Sequence, residues 1–424
     1  LSEEQATSNK IAISPLTKET LIQQATNIAE EMQKRAMRAT DGSPWWMGME
    51  YIPGAGQLQP RSLGFDLYDG CAGVALFFAA LAKTTGNNEY RNLALSTLLP
   101  VCNLSQSYGQ EYRDDLIQDL DIGAGKGIAS IIYTLVQCSK FLNYSTLLKD
   151  AQKFVSLLTP TDIIGVRKFD LVSGTAGLIL GLLTFYDATQ DSQALELAKI
   201  CGYHLIDNRI TSKTGFLTWN TVGGKPLTGI AHGAAGIAYA LLRLSTVVIE
   251  PKFLQAAQEA IAYENSVFYP QVQNWLDLRS DRQAFGTSWC NGAPGIGLAR
   301  LGSLKILDKE VIRQDIETAL ETTQKIGLHN IDHLCCGNLG YAELFLFAGL
   351  QLGRQELIEI AQKQAAYVVN RAENIGYFQI FPSNFQGIYN PGFFQGMAGI
   401  GYELLRLAYP QELPSVLLWE MSNE

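Results

Sequence analysis

Residues 69–81, DGCAGVALFFAAL, place a Gly-x-x-Gly core, Gly70 and Gly73, directly ahead of an almost wholly apolar run. The same arrangement recurs in SGTAGLILGLL (173–183), HGAAGIAYALLRL (232–244), NGAPGIGLARL (291–301), CGNLGYAELFLF (336–347) and QGMAGIGYELLRL (395–407). Such runs are typical of helices buried on all sides, and the glycines allow a sharp turn and a close helix approach at each start. The repeating unit is therefore a glycine-started buried helix.

A seventh copy, GAGKGIASIIYTL (123–135), fits less well, because Ala124 stands where the first glycine would be and Gly127 matches the second. The second glycines then lie at positions 73, 127, 177, 236, 295, 340 and 399, which gives spacings of 54, 50, 59, 59, 45 and 59 residues. Self-similarity at this period indicates a repeat architecture of irregular unit length.

Amphipathic segments such as KFLQAAQEAIAYENSVF (252–268) and QELIEIAQKQAAYVVN (355–370) separate the buried runs and predict a second, outer helix in each repeat. An open solenoid would need polar capping repeats, yet the last unit is as apolar as the others. The sequence therefore predicts an all-α fold, an α/α toroid of about seven inner and seven outer helices. We expect one such domain over residues 21–424, behind a polar linker over residues 1–20.

Composition narrows the classes of function. The 424 residues carry a net charge of −9 and contain no block of Lys or Arg, so no nucleic-acid partner is expected. No apolar run reaches the roughly 20 residues of a membrane span, and the first residues lack the charged-then-apolar pattern of a signal peptide, so we expect neither a membrane span nor a secretory leader. Seven cysteines are an odd number, which argues against a disulfide framework and favours a reducing compartment, the cytoplasm.

Reactive residues converge on one position of the repeat. Aligned on the first glycine, the preceding residues are Asp69, Ile122, Ser173, His232, Asn291, Cys336 and Gln395. The residues one position further back are Tyr68, Asp121, Val172, Ala231, Cys290, Cys335 and Phe394. Three of the seven cysteines and one of the four histidines fall in these fourteen positions. We expect the seven turns to meet at one end of the ring.

The three cysteines of these turns, Cys290, Cys335 and Cys336, predict a site for one metal ion. Thiolates in a reducing compartment favour Zn²⁺, which tetrahedral sulfur sites bind well. No fourth ligand is obvious, so an open coordination position is favoured. His333 is a residue near the ligands or, alternatively, the fourth ligand of a closed structural site.

His232 belongs to the same aligned position and should face the same space as the metal. With an ordinary pKa near 6.5, a histidine can give or take a proton near neutral pH. Asp170 is the first candidate to orient it, and Asp69 and Asp121 are the others, although each carboxylate could instead cap a helix start.

Three motifs together, SWCNGAPGIG (288–297), HLCCGNLG (333–340) and GIAHGAAGI (229–237), resemble the lanthionine synthetase C-like (LanC-like) cyclases. The resemblance extends from about residue 40 to residue 420. FDLYDGCAGVALF (65–77) and NWLDLR (274–279) are similar to the C-terminal cyclase domain of class II lanthipeptide synthetases, the LanM type. The resemblance implies that a dehydratase domain precedes this segment in the full polypeptide.

The resemblance also implies a chemistry, in which a zinc-bound peptide cysteine adds to dehydroalanine or dehydrobutyrine of a dehydrated ribosomal precursor peptide and closes a thioether ring. It assigns zinc binding to Cys290, Cys335 and Cys336, acid–base catalysis to His232 and its orientation to Asp170. Many members have Cys-His-Gly where this chain has Cys335, Cys336 and Gly337. This chain therefore resembles the three-cysteine variant of the site, as in the prochlorosin synthetase type. A basic residue that some members carry shortly before the first zinc cysteine has no clear match.

Two other functions share the predicted fold. One is a non-catalytic zinc-binding or thiol-binding LanC-like module. The other is an α/α glycosidase that uses Asp69, Asp121 or Asp170 as paired carboxylates. Three clustered cysteines have no purpose in a glycosidase, so the cyclase is the leading hypothesis.

Overall fold

The structure is a computed structural model that describes residues 14–52, 55–107, 113, 117 and 120–421. Its described residues form fifteen α-helices: α1 Lys18–Arg35, α2 Cys71–Thr85, α3 Asn88–Ser107, α4 Ile128–Phe141, α5 Thr146–Leu157, α6 Pro160–Gly165, α7 Thr175–Thr189, α8 Ser192–Asp207, α9 Ala234–Val247, α10 Pro251–Ser266, α11 Ala293–Ser303, α12 Glu310–Ile326, α13 Asn338–Leu352, α14 Gln355–Ile375 and α15 Met397–Ala408. The predicted all-α fold is confirmed.

Seven of these helices form an inner ring, and they are the seven apolar runs that follow the glycines. Each contacts the next in the order α2, α4, α7, α9, α11, α13 and α15, and α15 contacts α2. Most of their side chains are buried all round, as the absence of a polar stripe predicts. The inner ring is therefore closed.

The outer ring consists of one amphipathic helix packed against each inner helix. Helices α3, α5, α8, α10, α12 and α14 each contact the inner helix that precedes them in the chain. The seventh outer helix is α1, which packs on α15 from the other end of the sequence. Of the predicted linker, residues 1–13 lie outside the described residues, whereas residues 18–20 form the first turn of α1.

In the part of the chain that the structure describes, the connections contain four two-stranded antiparallel hairpins: β1 Met37–Arg38 with β2 Pro44–Trp45, β3 Met47–Ile52 with β4 Gln57–Ser62, β5 Ile210–Thr211 with β6 Leu217–Thr218, and β7 Phe268–Tyr269 with β8 Asn274–Trp275. The longest, β3–β4, runs from the pair Met47 and Ser62 to the pair Ile52 and Gln57. It stands beside the turns that precede the inner helices and forms one wall of a cavity described below.

Close packing explains the second glycine of the repeats. A Cβ atom added at this position would lie only 1.8–2.3 Å from the carbonyl oxygen six residues earlier, at Gly73, Gly177, Gly236, Gly295, Gly340 and Gly399. No side chain fits at such distances without a shift of the backbone. The glycine therefore fixes how tightly each turn folds onto its own helix.

The second repeat follows a different register from the one the sequence predicted. Gly127 is the N-cap residue of α4, as Gly70 is of α2, so it occupies the first glycine position and not the second. Lys126 and Gly125 therefore replace Ile122 and Asp121 in the two aligned positions. The segment GAGKG offers three glycines, and the sequence alone did not distinguish the alternatives.

A closed ring of backbone hydrogen bonds joins the seven turns. The N–H of each aligned residue donates to the carbonyl of the next, at 2.8–3.4 Å, in the cycle Tyr68, Gly125, Val172, Ala231, Cys290, Cys335, Phe394 and back to Tyr68. Every turn is thereby fixed relative to both neighbours. The ring holds the predicted site residues at one end of the toroid.

The C-terminal segment fills the middle of the inner ring. Val416, Leu417, Leu418 and Trp419 are buried there. Hydroxyl groups of Tyr133, Tyr239 and Tyr402 on three inner helices donate to carbonyl groups of this segment at 2.8–3.0 Å. The ring is thus a packed core, and none of the described helices has the combined length and apolarity that crossing a bilayer needs.

Candidate metal centre

The three predicted metal ligands come together in two adjacent turns. Cys290 lies in the turn before α11, and Cys335 and Cys336 lie in the turn before α13. The Sγ atoms of Cys290 and Cys336 are 3.6 Å apart, those of Cys336 and Cys335 are 3.4 Å apart, and all three lie within 4.8 Å of one another. The hydrogen bond from Cys290 N to Cys335 O, at 3.4 Å, holds the two turns side by side.

These sulfur atoms fit a zinc ion. Zn–S bonds of about 2.3 Å in a tetrahedron separate the sulfurs by about 3.8 Å, close to the distances between these thiols. Cys335 is buried, and Cys290 and Cys336 are partly exposed. Within the described residues no further His, Cys, Asp or Glu belongs to the cluster, so it offers three ligands.

Neighbouring groups favour negative charge on the cluster. Hydrogen bonds from Cys335 and Cys336, then from Ser288 at 3.1 Å and the charge of Arg279, hold the pKa of Cys290 well below its ordinary value, against the effect of burial. Hydrogen bonding with Cys290 raises the pKa of the other two thiols. The cluster therefore already stabilises one thiolate before a cation is added.

Arg279 is a site residue that the sequence reasoning missed. Asp277 anchors its guanidinium through bonds of 2.7–3.2 Å, and its positive charge acts on both Cys290 and Cys336. It belongs to NWLDLR, which the sequence distinguishes only by its resemblance to LanM-type cyclase domains. Arg279 lies eleven positions before Cys290 in the sequence, and the path of the intervening loop brings its charge close to the thiol. The sequence alone does not reveal that path.

His333 supports the turn and does not belong to the three-ligand cluster. Its Nδ1 accepts a hydrogen bond from the backbone N–H of Cys336 at 3.3 Å. Burial lowers the pKa of this histidine to about 3, so it is neutral at physiological pH. A neutral imidazole whose Nδ1 already accepts a backbone hydrogen bond is consistent with a supporting residue beside the metal ligands.

His232 and Asp170, the predicted acid–base residue and its predicted orienting partner, lie side by side in the structure. Their Nδ1 and Oδ1 atoms are 3.3 Å apart, off the line of a hydrogen bond. The side chain of Asp170 is 3 % exposed and that of His232 is 34 % exposed. Asp170 Oδ1 also accepts the backbone N–H of Ser173 at 2.8 Å, so this carboxylate caps its turn as well.

The two other candidate carboxylates have cationic partners. Asp69 pairs with Arg61 and with Lys126, the latter at 3.1 Å, and Asp121 pairs with Lys168 at 2.5 Å. Among the described ion pairs, Asp170 is the carboxylate that reaches His232.

A cavity of about 350 Å³ opens beside the cysteines. Cys336 and His333 line one side, Tyr68, Asp69 and Lys126 line another, and hairpin β3–β4 faces them. The cavity is large enough for several atoms of a peptide, and Cys336 is the metal-site sulfur that faces it.

The remaining four cysteines, Cys71, Cys102, Cys138 and Cys201, are buried and serve as small apolar side chains, as the sequence indicated. Burial raises the pKa of each of these thiols. In the three-cysteine cluster, by contrast, the pKa of Cys290 is lowered.

Two known proteins are similar to this chain over most of its length. The "Lacticin 481/lactococcin biosynthesis protein LcnDR2" of Lactococcus lactis subsp. lactis is 22 % identical over 388 residues, which cover 85 % of this chain but 38 % of that protein. This chain therefore spans well under half the length of that relative. The solved structure of "Nisin cyclase" superposes with a TM-score of 0.65 at 18 % identity, over 95 % of this chain and 97 % of that one, and supports the toroid fold.

Residues 61–418, most of the chain, match the family model described as "Lanthionine synthetase C-like protein". The match includes the seven repeats, the three cysteines, His232 and Asp170. This chain belongs to the lanthionine synthetase C-like family.

Proposed function

We propose that the protein is a zinc-dependent cyclase that forms lanthionine and methyllanthionine rings in a dehydrated precursor peptide. In each ring closure a peptide cysteine thiolate adds to dehydroalanine or dehydrobutyrine. The observation that carries the proposal is the cluster of three thiols within 4.8 Å at the edge of a cavity. Membership of the family supports it.

Zinc held by Cys290, Cys335 and Cys336 would supply a Lewis acid that keeps a peptide thiol deprotonated. A free cysteine has a pKa near 8.5, so only about 3 % is thiolate near pH 7. Complete deprotonation at that pH corresponds to about 2 kcal/mol. Arg279 adds positive charge beside the same sulfurs.

The proton balance assigns a role to His232. The new C–S bond forms at the β-carbon as the C=C π bond breaks, which leaves an enolate that must gain a proton at the α-carbon. Nδ1 of His232 is buried near Asp170, so Nε2 is the nitrogen available to deliver this proton. The proton lost by the thiol is thereby returned, and the mass of the peptide does not change.

We also propose that this segment is the C-terminal cyclase domain, over residues 21–424, of a longer LanM-type synthetase with a dehydratase domain before it. The match covers 38 % of the relative, so that protein is much longer than this chain, which supports a longer polypeptide. We place the protein in the cytoplasm, where the seven cysteines, which form no disulfide among the described residues, would stay reduced.

The test is a cyclisation assay on a dehydrated peptide that contains cysteine. Zinc-loaded protein is expected to remove alkylatable thiol at unchanged peptide mass. Cys336→Ala should lose zinc and activity, whereas His232→Ala should keep zinc and cyclise at least about a hundredfold more slowly. Cys201→Ala, which removes a buried thiol far from the cluster in sequence, is the control.

Full cyclisation by a zinc-free variant would refute the proposal. Stoichiometric zinc with no loss of thiol on any dehydrated peptide would favour the non-catalytic thiol-binding module instead. Loss of zinc from His232→Ala would make this histidine a ligand or a structural residue.

A further inference from the structure

Tyr68 touches the metal centre from the next turn but one in the ring, since only the turn of Phe394 lies between those of Cys335 and Tyr68. It precedes α2 and occupies the aligned position of Cys290 and Cys335 in its own repeat. Its hydroxyl group donates a hydrogen bond to Cys335 Sγ at 3.0 Å. Nothing in the acid–base roles of the proposed reaction uses this contact.

Several contacts fix the ring of Tyr68 in this orientation. It stacks on Phe394 with ring centroids 4.8 Å apart and planes 4° from parallel. Its backbone N–H and carbonyl both belong to the ring of hydrogen bonds that joins the seven turns. The hydroxyl is therefore held against the sulfur by packing on one side and by the backbone on the other.

Lys126 adds a positive charge over the face of the same ring. Its Nζ lies 5.1 Å from the ring centroid of Tyr68 and 3.1 Å from Asp69 Oδ2. A cation over an aromatic face is attracted to its π electrons, and it withdraws electron density from the phenol. The O–H of Tyr68 becomes a stronger donor as a result.

We propose that Tyr68 is a positioning residue that disperses the negative charge of the Cys335 thiolate and so sets how firmly the centre holds its ion. This inference rests on the proposed function, because it requires a metal bound by the three sulfurs. Three thiolates bring a zinc site to a formal charge of −1, and a peptide thiolate brings it to −2. A hydrogen bond donated to a ligand sulfur partly offsets that negative charge. Loss of such a hydrogen-bond donor next to a metal ligand commonly changes metal affinity about 10–100-fold.

Tyr68→Phe tests this directly, because it keeps the ring and its stacking and removes only the hydroxyl. We expect metal affinity, measured by competition with a chromophoric chelator, to fall about tenfold. In cobalt-loaded protein the thiolate-to-cobalt absorption should move to longer wavelength, because the sulfur electrons are less stabilised. Tyr402→Phe, which removes a buried hydroxyl bonded to Pro414 O, is the matched control and should change neither value.

Lys126→Met gives an independent variant that leaves the hydroxyl in place. It should move the cobalt absorption in the same direction as Tyr68→Phe, by a smaller amount. Wild-type protein loaded with an NMR-active cadmium isotope provides a measurement without any variant. The Tyr68 hydroxyl proton should show a scalar coupling to cadmium across the O–H···S hydrogen bond.

The inference is overturned if folded Tyr68→Phe keeps wild-type affinity and spectrum, or if no coupling reaches the Tyr68 proton. Either result can be told apart from failure of the proposed function. That function fails if wild-type protein binds no metal through thiolates or does not cyclise peptide. A wild-type protein that does both while Tyr68→Phe is unchanged contradicts the role of Tyr68 alone.

Discussion

At the scale of single residues, one position of the turn shows how a structural role and a chemical role combine. The residue four places before the first glycine accepts the backbone N–H three residues later in four repeats, at 2.8–3.3 Å. These residues are Asp66, Asp170, Ser288 and His333. All four cap their turns, yet Asp170 also approaches His232 and Ser288 also approaches Cys290. A residue that caps its turn can therefore also contribute to the candidate site.

Asp66 leads to a prediction about pH. Burial, then the charge of Asp69, raises the pKa of this carboxyl to about 7. A raised pKa means that the folded protein binds a proton which the unfolded chain releases near pH 4. The stability it contributes is complete below about pH 4 and is lost as pH rises through about 7.

Asp66→Asn should remove this dependence, because the amide does not titrate and its oxygen can still accept the N–H of Asp69. Between about pH 5 and pH 8 we expect the wild-type free energy of unfolding to fall by about 3 kcal/mol relative to the variant. Urea unfolding of both proteins across this range measures the difference. Parallel pH profiles would contradict the prediction.

The sequence predicted the residues of the site better than their surroundings. Cys290, Cys335, Cys336 and His232 can be identified as candidates because they are rare residues at one repeated position. Asp170 followed from its place in the same turn. Arg279 and the contact of Tyr68 with Cys335 were not found, because they depend on a loop path and on the closure of the ring.

At the scale of elements, the start of each inner helix determines the geometry of the turn before it. The glycine pattern predicted where six of the seven inner helices begin. The register of the second repeat differs from the prediction, because it is identified by the N-cap position of Gly127 and by the hydrogen bonds of Gly125 to Tyr68 and Val172. Sequence periodicity thus predicted the helices, whereas the register of a turn depends on its hydrogen bonds with the neighbouring turns.

Gly177→Ala tests the packing role of the second glycine in a repeat without metal ligands. An added Cβ would lie 2.0 Å from Leu171 O and 2.3 Å from Ala124 N, so the turn before α7 must shift. We expect the free energy of unfolding to fall by about 3 kcal/mol. Urea denaturation is the measurement.

Gly165→Ala is the matched control for this substitution. Gly165 ends α6, and an added Cβ there would meet nothing within 4 Å. Its free energy of unfolding should stay within about 0.5 kcal/mol of wild type. Equal losses in the two variants would mean that the close carbonyl contact at Gly177 has no special cost.

At the scale of the whole molecule, the two ends of the described chain complete the ring. Helix α1 provides the seventh outer helix by packing on α15, and the segment around Trp419 fills the middle of the inner ring. Neither role was predicted, because both depend on contacts between residues hundreds of positions apart. Local patterns reveal a repeat but not which segment closes it.

The packed centre extends to the metal site. Trp419 donates from Nε1 to Ala124 O at 2.8 Å, and its ring lies 5.9 Å from that of Phe394. Phe394 in turn stacks on Tyr68, which donates to Cys335. A continuous column of aromatic rings therefore supports the sulfur cluster from below.

Trp419→Ala should consequently weaken both the fold and the centre. Removal of this buried side chain is expected to cost about 3–5 kcal/mol of stability and to loosen the stacking beneath Cys335. Trp46→Ala is the matched control, since Trp46 is equally buried and its Nε1 donates to Met32 O at 2.8 Å, but it packs against α1 and Phe78. Both variants should unfold at lower urea concentration, whereas only Trp419→Ala should bind cobalt more weakly below its unfolding transition. Equal cobalt affinity in the two folded variants would show that the sulfur cluster needs only its own turns and not the column beneath it.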